Sequence, residues 1–124
     1  MHELDELARR YSPVFSDLER TLPGLLGDLV WDERGGPSMV TLRDGRRMQR
    51  AGLIRAEGVF GLTDPAALDD ALRDLLERHG FNADGPIHAD KAAGYLMMTG
   101  RDGRRAEFTF RTKTTMEAWI DVPC

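Results

Sequence analysis

The stretch RRAEFTFRTKTTMEAWIDV, residues 104–122, decides the fold. Two runs alternate across a short polar break. Phe108 and Phe110 point one way while Glu107, Thr109 and Arg111 point the other. Met116, Ala118, Ile120 and Val122 then share a face opposite Glu117, Trp119 and Asp121. Strand side chains alternate with period two, so one face of this pair is apolar and the other polar. That pattern predicts an antiparallel sheet with one packed and one wetter face.

The same period recurs upstream. DLVWDE (28–33), SMVTLR (38–43), RRMQR (46–50) and GYLMMTG (94–100) read as strands, and GLIRAEGVF (52–60) as a further short one. Trp31, between Leu29 and Glu33, reads as core. Elsewhere the period is helical. Leu4, Leu7, Tyr11, Val14, Leu18, Leu22 and Leu25 fall three or four apart and line one helix face. Pro13 either kinks this helix or starts a second segment capped by Ser12, and Pro23-Gly24 ends it. In LTDPAALDDALRDLLERHGF (62–81), Thr63 or Asp64 caps a second helix, Pro65 begins it and Gly80 closes it. Leu68, Leu72, Leu75, Leu76 and Ala71 form its expected buried stripe. The economical assembly is an α+β two-layer sandwich: an antiparallel sheet with both helices on one face, forming one domain over residues 1–124.

RDGRR occurs twice, at 43–47 and 101–105, an offset of 58. Asp44-Gly45 and Asp102-Gly103 are two-residue hairpin signals, because such turns need the positive φ that glycine adopts at little cost. At the same offset ten further positions match, among them Leu18-Glu19-Arg20 with Leu76-Glu77-Arg78, against about five expected by chance. The chain therefore reads as two pseudo-repeats, 1–58 and 59–124, each running helix, strand, Asp-Gly, strand.

Composition narrows the function. At 124 residues the chain is long enough to bury a sizeable core without metal or disulfide. Net charge −4 argues against nonspecific nucleic-acid binding as the main task, and a basic partner fits better. No run approaches the roughly 18 apolar residues of a membrane span, and HELDELARR has neither a basic nor an apolar leader region. A cytoplasmic product without a membrane anchor is expected. Cys124 excludes an internal disulfide, being the single cysteine.

Site chemistry is sparse. His2, His79 and His88 lack metal-ligand spacing; His79 reads as a helix-end residue and His88 with Asp90 as a solvated loop. None of Ser12, Ser16 and Ser38 lies in a nucleophile elbow, and neither phosphate-loop pattern occurs. The carboxylate pairs Asp32-Glu33 and Asp69-Asp70 read as solvated faces. No catalytic residue, cofactor or metal site is assigned, and an enzyme is not expected.

Two binding surfaces remain. Strict alternation turns Trp119 away from the helices between Glu117 and Asp121, a partner-binding patch; a bulge or covering loop would bury it instead. Arg43, Arg46, Arg47, Arg50, Arg104 and Arg105 form the alternative, a nucleic-acid platform built on the hairpins.

GLTDPAALDDALRDLLERHGF (61–81), GYLMMTG (94–100) and AEFTF (106–110), followed by a closing strand ending near a cysteine, resemble the C-terminal half of small actinobacterial lipoproteins of the LppA type. The likeness covers roughly residues 60–124. It implies no catalytic residues, and this chain shows neither that family's signal peptide nor its lipobox cysteine. The expected function is a non-enzymatic protein-binding domain, an immunity or antitoxin-like protein occluding a basic toxin. The alternative is the arginine-hairpin nucleic-acid module.

Overall fold

The computed structural model describes residues 2–27, 29–58, 64–90 and 95–123, without the side chains of 2, 3, 32–34 and 90. Cys124, Gly94, the alternative cap Thr63, and the side chains of the Asp32-Glu33 pair and Asp90 lie outside the described residues. The architecture is an α+β sandwich: two long helices on one face of an eight-stranded antiparallel sheet.

Helix α1 (His2–Thr21) is continuous through Pro13. Pro13, Arg9 and Arg10 are exposed, so the carbonyl that Pro13 cannot bond faces water. One turn, α2 (Pro23–Leu26), follows. Helix α3 (Pro65–Arg78) is capped by Asp64, whose side chain accepts the backbone N–H groups of Ala66 and Ala67. This satisfies two of the orphan donors at a helix start. Asp69 does not face solvent freely as its sequence position suggests. It is half-buried, and its Oδ1 accepts the Ile87 backbone N–H at 2.6 Å, holding the connection that follows α3.

The strands are β1 (Val30–Gly35), β2 (Ser38–Thr41), β3 (Arg47–Glu57), β4 (Phe81–Ala83), β5 (His88–Asp90), β6 (Tyr95–Asp102), β7 (Glu107–Thr112) and β8 (Thr115–Pro123). The order is β1-β3-β8-β7-β6-β4. β1 and β2 share one edge of β3, on residues 53–57 and 47–50, while β8 takes its other edge. The two segments read separately at 46–50 and 52–60 are one strand, β3, interrupted by a bulge at Ala51. β4 and β5 are three-residue strands on the far edge of β6. His88 therefore lies in a strand, not a loop.

Buried residues fix the two faces. Ile54, Ala56, Met98, Phe108, Phe110, Met116, Ala118 and Ile120 join Leu7, Tyr11, Val14, Leu18, Leu68, Leu72, Leu75 and Leu76 in one core between sheet and helices. Tyr11, Phe81 and Phe108 link α1, β4 and β7 through ring contacts of 5.8 and 6.3 Å. Asp17 joins the helices: its carboxylate meets Arg20 at 2.8 Å, His79 Nε2 at 2.9 Å and Arg78 at 3.2 Å. Trp31 departs from its core reading. It sits on edge strand β1 and is among the exposed large apolar residues.

The two RDGRR copies form turns in different registers. In the first, Leu42 N–H bonds the Arg46 carbonyl, the loop is centred on Asp44, and Gly45 carries φ +88°. In the second, Asp102 N–H bonds the Ala106 carbonyl, the loop is centred on Arg104, and the positive φ, 68°, falls on Arg105. Both are three-residue loops, not the two-residue turns expected from Asp-Gly. The second is displaced two residues along the motif. Both aspartates nonetheless act locally alike, accepting the N–H two residues on.

The halves also differ in pairing. Each runs helix then strands, but β1 pairs with β3, whereas β5, at the matching place, pairs with β6.

Candidate binding face around Trp119

The described long helices pack on one face of the sheet, and β8 crosses the middle of the other. Residues paired directly across antiparallel strands share a face. Trp119 pairs with Leu53 on β3 and Thr109 on β7. Glu117 pairs with Arg55 and Arg111, and Asp121 with Arg50 and Glu107. The structure thus brings Glu117, Trp119 and Asp121 together on one open face, as the alternation predicts.

Their environment differs from a free acidic patch. Arg50 forks onto Asp121, Nε to Oδ1 at 2.8 Å and Nη2 to Oδ2 at 3.1 Å, and Asp121 is only 5% exposed. Arg111 Nη2 reaches both oxygens of Glu117 at 3.3 and 3.2 Å. Both guanidinium groups also lie over the half-buried Trp119 ring, 5.4 Å (Arg50) and 5.1 Å (Arg111) from its centroid. Arg111 lies 5.1 Å from the Tyr95 ring as well. The result is a ladder across four strands, Tyr95, Arg111, Trp119, Arg50, with a carboxylate tied to each arginine. Such contacts are worth about 0.5–1 kcal/mol exposed and more when desolvated. Arg111 Nε is buried and has no hydrogen-bond partner among the described residues.

The bracing residues were only partly visible in sequence. Arg111 opposite Glu117 depends on three residues, 113–115, standing between the paired Thr112 and Met116, whereas a two-residue connection would have set Arg111 opposite Met116. Arg50 opposite Asp121 required knowing that β3 pairs with β8, and Tyr95 required the β6–β7 register.

The arginines of the hairpins divide. Arg50 belongs to the ladder. Arg43, Arg46 and Arg47 are exposed at one tip and Arg101, Arg104 and Arg105 at the other. The hairpins do not pair with each other; β8 separates them, and both tips lie at its C-terminal end. Between them is a cleft of about 360 Å³ lined by Leu42, Arg46, Arg101, Glu107, Trp119 and Asp121 among others. Asp44 holds Arg46 at 2.8 Å, and its carboxyl lies below the usual range because the Arg46 backbone N–H and guanidinium both favour its charge.

Two further groups carry shifted titration. Tyr11 is pushed up to about 12 by burial and then by its hydrogen bond to Asp102. Asp17 is held below the ordinary carboxylate value, first by His79 and also by Arg20 and Arg78, against the opposing effect of burial. His88 is exposed, with Nδ1 3.3 Å from the Pro86 carbonyl. Among the described residues no three histidine, cysteine or carboxylate side chains gather as a metal site. Among the described residues no helix is long and apolar enough to cross a membrane. No family model matches the chain, and no curated protein or solved structure does.

Proposed function

We propose that this chain is a non-enzymatic protein-binding domain that receives its partner on the open sheet face, in the manner of an immunity or antitoxin-like protein that occludes a toxin. One observation carries the reading: Trp119 is fixed, half-exposed, by Arg50 and Arg111 on the face away from the described helices. Tryptophan is enriched among residues that dominate binding energy, and a side chain ordered before contact loses less entropy on association. The net charge of −4 favours encounter with a basic partner. Because Asp121 and Glu117 are already paired, acidic steering comes from the whole surface and the contact itself centres on the indole.

The test is co-purification with tagged protein, identification of the captured chain and reconstitution from purified components. A stoichiometric complex is expected, weakened at least about 30-fold by Trp119→Ala, corresponding to the roughly 2 kcal/mol of a binding hot spot. Unchanged affinity in that variant excludes the open face as the docking site.

A nucleic-acid module stays as the second reading because both arginine tips flank one cleft. Against it, arginines lie over the indole where a base would stack. Binding of a labelled single-stranded oligonucleotide that falls steeply between 50 and 200 mM salt, and is lost in an Arg43, Arg47, Arg104 and Arg105 quadruple alanine variant, would favour this reading over the first.

A further inference from the structure

Among the described residues the large apolar ones left exposed are Val30 at 66%, Trp31 at 36% and Met39 at 44%. All three lie on β1 and β2, the two segments that form one margin of the sheet. Strand margins expose unpaired backbone N–H and C=O groups, and proteins usually guard them with charge, proline or very short strands. The opposite margin follows that rule: β4 and β5 have three residues each, with Asp84 to Pro86 between them. β2 is also short, four residues following Pro37, but Ser38, Met39, Val40 and Thr41 themselves carry no charge and no proline, and only Val40 is half-buried.

We infer that β2 is the contact through which two copies of this chain associate, pairing antiparallel across a twofold axis so that their sheets become continuous. An unpaired strand is complementary to itself in this arrangement, since each outward donor meets an acceptor of the second copy whatever the sequence. Pairing that keeps both helix layers on the same side sets Met39 against Met39 or Thr41 of the second copy, because only residues of one face can stand opposite each other. Like charges are never opposed within the strand. Because the opposite margin is short and polar, growth stops at two copies and does not continue into a fibre. The two open faces with Trp119 come to lie in one doubled sheet.

Sedimentation equilibrium of the purified chain between about 1 and 500 μM tests this. The expected result is a reversible dimer, with amide exchange of residues 38–41 slowing as concentration rises. Met39→Lys adds a charge at an exposed position and should shift dissociation at least tenfold toward the monomer without changing the thermal midpoint extrapolated to low concentration. A chain that stays monomeric up to 500 μM overturns the inference. So does a dimer that Met39→Lys leaves intact and in which residues 38–41 exchange at the monomer rate.

Discussion

The Tyr11 hydroxyl donates a 2.5 Å hydrogen bond to Asp102 Oδ2, while Oδ1 of the same carboxylate accepts the backbone N–H groups of Arg104 and Ala106, each at 2.9 Å. One side chain thereby ties α1 to the second RDGRR turn. Tyr11→Phe keeps the buried ring and removes the donor, which should cost about 1.5–3 kcal/mol, the range for hydrogen bonds to charged groups. The effect depends on pH. Tyr11 is raised from 10 to about 12 in the fold, so its contribution is complete below pH 10 and is lost as pH rises through 12. Urea midpoints at pH 8 and pH 12 should show the gap between wild type and Tyr11→Phe closing; a constant gap contradicts this account.

The displaced turn predicts opposite responses at two positions. Arg105 holds φ 68°, a conformation that costs a non-glycine residue roughly 1–2 kcal/mol, whereas Gly45 holds φ +88° without that cost. Arg105→Gly should stabilise by up to about 1 kcal/mol after the added freedom of the unfolded chain is counted. Gly45→Ala should destabilise by about 1 kcal/mol. Thermal denaturation of both variants decides the matter, and a stabilised Gly45→Ala contradicts the assigned register.

Two buried glycines should differ in tolerance. A Cβ on Gly52 would sit 2.9 Å from the edge of the Phe15 ring, which can tilt. One on Gly100 would sit 2.9 Å from the Asn82 backbone oxygen and 3.3 Å from Leu76. Overpacking costs typically 1–3 kcal/mol. Gly100→Ala belongs at the upper end and Gly52→Ala at the lower, and chemical denaturation should preserve that order.

Asp17→Asn tests the junction of the helices. It removes the charge shared by His79, Arg78 and Arg20 and should cost about 1.5–3 kcal/mol at pH 7. Because the folded carboxyl lies below the ordinary value of 3.8, the native advantage is present above that value and is lost as pH falls through the folded pKa. Melting temperatures of wild type and variant should therefore converge well below pH 3.8, and a difference that persists there contradicts this linkage.

Much of the sandwich was legible in periodicity. β7 and β8 alternate cleanly because one face meets the helices, and α3 is read from Asp64-Pro65 through Gly80 because each cap answers a specific orphan backbone group. What escaped the sequence was local geometry decided elsewhere. β4 and β5 are too short to show a period. The bulge at Ala51 reverses the alternation of β3 and made one strand resemble two. The turn register depended on which strands paired, and RDGRR by itself is compatible with both. Trp31 misled because a mixed apolar segment looks alike at the centre and margin of a sheet. At the binding face, sequence placed Glu117, Trp119 and Asp121 on one side but could not reveal that arginines from neighbouring strands consume both carboxylates.

The position of β8 bears on the order of assembly. It joins β3 of the first half to β7 of the second, yet it follows every other strand in the chain. As the polypeptide emerges during synthesis, each half can close its own hairpin, but the inner margins of β3 and β7 stay unpaired until residues 115–123 arrive. The ladder around Trp119 is formed in that same step, since its arginines come from the two strands that β8 unites. Completion of the sheet and completion of the candidate binding face are thus a single late event in biosynthesis, and a nascent chain that has not reached it has neither.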